Sequence, residues 1–331
     1  MELFNQYRNQ PSMKESIVIR NTAVKQMLLE IHKAVSGKDI KILKVLLAIL
    51  AGGHILLEDI PGVGKTTLAL AISRTLSLST KRIQFTPDVL PSDVTGFTIY
   101  NKSTNSFIFK KGSAFCNLLL ADEINRTSSK TQSALLELME EGAVTIDGST
   151  YPLPSPHIVI ATQNPITCVG TQKLPESQLD RFLIKLTLGY PNANSEIAML
   201  MARQDHNPLD EIEQVADALT IERMRQKVQQ VYVSEPIYKY IVDLTNATRN
   251  HPAIRLGISP RGSLALMQMA KACAYVQGRD YILPDDVIYV CADVFSHRLL
   301  LRNQTDIMQK PEQIIQEILD SVPVPNVEQG A

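Results

Sequence analysis

The stretch Glu58-Asp59-Ile60-Pro61-Gly62-Val63-Gly64-Lys65-Thr66-Thr67 carries the residue types that bind phosphate. Glycines let the backbone bend until several N–H groups point inward. A helix opening at the same spot adds the positive end of its dipole. The Lys65 ammonium can then reach β- and γ-phosphates, and the Thr66 hydroxyl can hold Mg²⁺. Nucleotide contacts are expected from Pro61, Gly62, Val63, Gly64, Lys65, Thr66 and Thr67. One position departs from the G-x-x-x-x-G-K-[ST] pattern, because Asp59 stands where the first glycine falls. That glycine serves backbone geometry, so Asp59 has to adopt the φ/ψ the turn needs.

A second set of chemical groups ends the apolar run Asn117-Leu118-Leu119-Leu120-Ala121-Asp122-Glu123. Asp122 suits Mg²⁺, held through water because this ion keeps part of its hydration shell. The predicted metal ligands are therefore Thr66 and Asp122. Glu123 suits orienting and polarising an attacking water, which points to hydrolysis rather than transfer to a substrate hydroxyl. The nearest approach to a guanine motif, Asn101-Lys102-Ser103-Thr104, lacks its Asp, which favours ATP over GTP.

Positioning these groups requires a strand before each. His54–Glu58, the run before Asp122, Lys81–Phe85, His157–Ala161 and Phe182–Leu188 read as strands, the second and fourth of these as buried ones. Helical spacing appears from about 22 to 35 and 38 to 51, over the run 68–72 after the loop, and from about 129 to 141. Two hairpins are expected, near 97–109 and 143–151, the second turning at Asp147-Gly148. Continuous apolar strands alternating with helices predict an α/β fold, a five-stranded parallel sheet in an αβα sandwich. Beyond Gly189-Tyr190-Pro191 only helical patterns are found. This predicts a nucleotide-binding domain over 1–190 with two hairpin inserts and an all-helical domain over 191–331.

Composition narrows the class. The 331 residues are 44% hydrophobic and 20% charged, with a net charge of −1, an ordinary globular balance without the footprint of a general nucleic-acid binder. Cys116, Cys168, Cys273 and Cys291 lack metal spacing and read as buried free thiols in a reducing compartment. No run is long enough to span a membrane and the first residues lack a signal-peptide core, so a cytoplasmic location is expected. The scattered histidines predict no metal site beyond the nucleotide's own Mg²⁺.

With these motifs in place, the chain resembles MoxR-family AAA+ ATPases. The resemblance rests on Leu57–Thr66, Gln84-Phe85-Thr86-Pro87-Asp88, Leu119–Arg126, Ile160-Ala161-Thr162-Gln163-Asn164-Pro165, Leu179-Asp180-Arg181-Phe182 and Ser259-Pro260-Arg261, and covers roughly residues 20–305. The family commonly accepts a non-glycine at position 59. The resemblance implies that Asn164 is the sensor-1 amide, Arg181 the finger reaching a neighbouring subunit, and Arg261 the sensor-2 residue contacting the γ-phosphate of its own subunit. A guanidinium suits both tasks because it stays charged and presents a planar fork of donors. Arg126 is a further candidate contact between subunits, and the turn at Gly37 matches the adenine-side pocket. The hairpins match inserts that face the ring axis in related proteins. Also implied are a homo-oligomer, most simply a hexameric ring, chaperone-like remodelling of a client, and a separate partner with a von Willebrand factor type A domain. Alternatives are a motor acting on DNA or within a metal chelatase, and a nucleotide-gated scaffold with negligible turnover. A P-loop kinase fits Asp122-Glu123 poorly.

Overall fold

The structure, a computed structural model, describes residues 17–164, 174–202, 204, 206–302 and 310–326. Two helices precede the sheet, α1 (Thr22–Ala34) and α2 (Asp39–Leu50). Asn21 caps the first, its side chain accepting from the Val24 amide at 3.2 Å. Then follow β1 (Ile55–Glu58), α3 (Lys65–Thr75), β2 (Thr80–Gln84), the short α4 (Pro91–Thr95) and the hairpin β3 (Gly96–Asn101) with β4 (Ser106–Lys111). After β5 (Leu118–Asp122) come a 3-10 turn (Ile124–Arg126), α5 (Ser129–Glu141) and a second hairpin, β6 (Ala143–Ile146) with β7 (Ser149–Pro152). Ser128 caps α5 at one end and Gly142, at φ +61°, closes the other. Asp147 and Gly148 both take positive φ, as a two-residue hairpin turn requires. β8 (Ile158–Gln163), α6 (Glu176–Leu179) and β9 (Ile184–Leu186) complete this part.

The five principal strands pair in parallel in the order β2-β5-β8-β1-β9. Alternate residues of each strand enter opposite apolar layers. Ile55, Leu57, Leu118, Leu120, Ile158 and Ile160 pack with α1, α2 and α3; Leu56, Leu119, Ala121, Val159 and Ala161 pack with α5. This is the αβα sandwich expected from the sequence.

The remaining elements are mainly helical: α7 (Ala193–Ala202), a 3-10 turn (Pro208–Glu211), α8 (Ala218–Gln229), α9 (Glu235–Asn250), α10 (Pro260–Val276), α11 (Pro284–Phe295) and α12 (Pro311–Ser321). Their core runs without interruption into the layer formed by α1, α2 and α3. One detail differs from the expected all-helical pattern. β10 (Ile254–Leu256) and β11 (Leu300–Leu301) form a small antiparallel ribbon between helices. Two or three residues are too few to show period-two alternation, so the sequence pattern hides them. Cys116, Cys273 and Cys291 are buried free thiols, while Cys168 lies outside the described residues. No helix among the described residues is long and apolar enough to cross a membrane.

Candidate active site

β1 delivers the chain to the phosphate-binding loop, and α3 begins at Lys65. Gly62 (φ +86°) and Gly64 (φ +92°) supply the left-handed bends, and a Cβ on either would meet nothing within 4 Å. Space therefore lies open beside both glycines, ahead of the first turn of α3, where Thr66 and Thr67 stand. Lys65 Nζ donates to the carbonyls of Asp59 (2.7 Å) and Ile60 (3.3 Å). Burial lowers its pKa, while the charges of Asp59, Asp122 and Glu123 act against this. The lysine thus shares one electrostatic site with both carboxylates of the second motif.

Asp122 ends β5, and its carboxylate is held on both sides. Thr162 Oγ1 donates to Oδ1 at 2.6 Å; Arg82 donates to Oδ2 through Nη2 (2.7 Å) and Nε (3.2 Å). Glu123 has φ +57°, unusual for a side chain of its length. Its N–H donates to Thr162 Oγ1 at 2.9 Å. Its Oε2 accepts from Gln84 Nε2 (3.0 Å) and pairs with Arg126 Nη1 (2.9 Å). Thr162 therefore fixes both acids from the adjacent strand. Asn164 follows β8 at the same edge, since Glu58 and Gln163 are in register; its carbonyl accepts from Asn125 Nδ2 at 3.3 Å. Pro165, the last residue of that motif, lies outside the described residues.

Gly37 sits at this end too, at φ +75°. A Cβ there would fall 2.7 Å from the Cβ of Ser195 in α7, so only glycine permits the approach. Around the turn, His32 Nδ1 and Asp39 Oδ1 lie 2.6 Å apart, and Lys38 Nζ donates to the carbonyls of Leu188 (2.8 Å) and Tyr190 (2.5 Å). Sequence reasoning did not assign roles to Arg82, Gln84 and Thr162. Arg82 and Gln84 alternate on one side of β2, a signal that becomes useful only once β2 is known to adjoin β5.

Arg181 and Arg261 are brought together, but at the opposite edge of the sheet. His54 precedes β1; its Nε2 donates to Met139 O at 2.9 Å, and its carbonyl accepts from Leu183 N–H at 2.8 Å. The last turn of α5 and the chain before β9 therefore lie at the strands' beginnings. There Glu140 pairs with Arg181 Nη1 through Oε2 at 3.4 Å and with Arg261 Nη2 through Oε1. Ser259 Oγ donates to Asp180 Oδ2 at 3.0 Å. The buried Arg298 donates to Asp180 Oδ1 (2.7 Å) and to the carbonyls of Phe182 (2.6 Å) and Leu183 (3.1 Å). A strand of four residues at about 3.3 Å each separates this cluster from the loop by ~13 Å or more. The expected reach of Arg261 to a phosphate in its own chain is not the arrangement found. It stands with Arg181.

The donor set suits a nucleotide with its Mg²⁺: an open glycine cradle, a half-buried lysine, the Thr66 hydroxyl at a helix start, and Asp122 at the neighbouring strand end. Comparison with known proteins agrees. Residues 54–184 match the model of the ATPase family associated with various cellular activities, and 246–318 match the AAA lid domain. The chain is 48% identical to the uncharacterised protein YeaC of Bacillus subtilis, over 89% of this chain and 92% of that one. It is 36% identical to Chaperone MoxR1 of Mycobacterium tuberculosis (96% and 86%) and 30% identical to Protein MoxR of Methylorubrum extorquens (89% and 93%). A crystal structure of a candidate ATPase from Cytophaga hutchinsonii superposes with a TM-score of 0.84 at 39% identity, covering 92% of this chain and 95% of that one. The chain belongs to the MoxR family of AAA+ ATPases.

Proposed function

We propose that the protein hydrolyses ATP with Mg²⁺ to remodel a protein client, as a ring of identical copies in the cytoplasm. The observation that carries this is the division of the catalytic groups. Lys65, Thr66, Asp122, Glu123 and Asn164 meet at one edge of the sheet, and Arg181 with Arg261 at the other. Within this reading Lys65 and the loop amides bind the phosphates, Thr66 and Asp122 hold the metal, and Gly37 borders the adenine. Mg²⁺, when bound, neutralises charge on the phosphate oxygens. Glu123 holds and polarises the attacking water, and Asn164 helps orient it. Arg181 acts on the nucleotide of the adjoining copy. Arg261, tied to the same Glu140, acts beside it rather than in its own chain.

A relative of this chain is named a chaperone, which supports the client reading. A hexameric ring and a separate partner with a von Willebrand factor type A domain complete the proposal, with residue 190 as the functional boundary between motor and lid. Glu123→Gln tests it: ATP binding persists while turnover falls by roughly 10²-fold or more. Near wild-type hydrolysis in that variant would refute the assignment.

A further inference from the structure

Asp59 replaces the first glycine of the phosphate-binding signature, yet the fold does not ask it for a left-handed backbone. The positive-φ residues of the loop are Gly62 and Gly64. Its carboxylate has a different use. The residue is 4% exposed, and Oδ2 accepts from the Leu188 N–H, while the Gly189 N–H lies 3.2 Å from both oxygens. Leu188, Gly189 and Tyr190 are the residues through which the chain leaves β9 for α7, and Gly189 turns at φ +67°. Lys38 grips the same residues from the other side through the carbonyls of Leu188 and Tyr190. The charge of Asp59 acts on Lys38 in turn. The main-chain carbonyl of Asp59 is one of the two that hold Lys65.

One residue thus touches the phosphate lysine with its backbone and the exit from the sheet with its side chain. We propose that Asp59 is a positioning residue that couples phosphate occupancy of the loop to the Leu188–Tyr190 linker. A phosphate competes for the Lys65 ammonium and so changes the partner of the Asp59 carbonyl. The same residue's carboxylate passes that change to the linker amides, and through them to α7, whose Ser195 closes against Gly37. A glycine would keep the cradle and lose the link, which is why the consensus residue is not an equivalent here. This inference rests on the phosphate-loop reading of Lys65.

The test replaces Asp59 by the consensus residue. Asp59→Gly is expected to bind ATP in EDTA at full stoichiometry and within roughly threefold of wild-type affinity, while turnover at saturating ATP falls roughly tenfold. The change in amide exchange that a non-hydrolysable ATP analogue induces along Ala193–Ala202 should disappear. Asp59→Asn, which keeps one acceptor oxygen, should lose only roughly two- to fivefold in turnover and about half of the exchange response. Wild-type turnover and a wild-type exchange response in either variant would overturn the inference, as would loss of ATP binding in the glycine variant. If Lys65→Ala binds ATP as tightly as wild type, the phosphate-loop reading itself fails. That result is distinct from a silent Asp59→Gly.

Discussion

The two ends of the parallel sheet are built on different principles. At the strand C-termini the polar groups pair partly in the open, the Arg82 and Arg126 side chains being half-exposed. Lys65 rests on carbonyls, Arg82 on Asp122, and Gln84 and Arg126 on Glu123. At the strand N-termini the polar groups are locked. Arg298 is buried among Asp180 and the carbonyls of Phe182 and Leu183, and leaving such a guanidinium unpaired would be costly. The first end is open to a ligand. The second fixes the corner from which Arg181 and Arg261 project. The difference teaches that the tightly buried contacts lie behind the arginines, and that Arg181 and Arg261 stand at the opposite edge of the sheet from Lys65 and Asp122.

The strongest way to break this contrast is to remove Arg181, the proposed finger. Arg181→Ala should leave ATP affinity unchanged and lower turnover in the assembled protein by roughly 10³-fold. Dilution of the wild type to single chains should reproduce that loss in a turnover assay against protein concentration. Unchanged turnover per chain on dilution would mean that Arg181 is an ordinary surface charge. Glu140 should matter less, because its pairs are partly exposed and such pairs are worth ~1 kcal/mol or less.

Titration separates the two ends by sign. His54, at the locked end, is pushed down to about 4 by burial, so it stays neutral in the fold while the unfolded chain takes up a proton below about pH 6.5. Its folded pKa is depressed, so stability is lost as pH falls through the unfolded value. Relative to His54→Gln, the wild type should lose about 2 kcal/mol between pH 7 and pH 5 in urea unfolding. His32, at the open end, is raised, chiefly by its hydrogen bond to Asp39. It contributes stability fully below its unfolded pKa and loses it as pH rises through the folded value. Equal pH slopes in His54→Gln and wild type would erase the distinction.

The smallest effect tests the pairing of Arg82 with Asp122. Arg82→Gln removes the cation on Asp122 and should lower the Mg²⁺ concentration for half-maximal turnover by roughly threefold. A higher requirement would show that Arg82 supports the metal site instead of competing for it.

How much of this could be read from the chain follows the same division. The phosphate end was legible because its groups are close in sequence or end continuous apolar strands, as with Gly62–Thr66 and Asp122-Glu123. The sheet followed from those strands. Arg181 and Arg261 were legible only through family resemblance, and their meeting on Glu140 was not legible at all, since it depends on the lid's docking against the last turn of α5. The contacts of the Asp59 carboxylate were not legible, because its partners Leu188 and Gly189 are backbone amides that no residue pattern reports. The ribbon β10–β11 was too short for any periodicity.

The backbone of Glu123 has a consequence for engineering. It occupies a left-handed conformation that costs a residue of its kind about 1 kcal/mol or more, and Thr162, Gln84 and Arg126 keep it there. Glycine or asparagine would rest at that position with less strain. Selection for thermal resistance alone would therefore drift toward replacing the residue proposed to polarise water, trading turnover for a higher melting temperature. A library screened for robustness should hold position 123 constant.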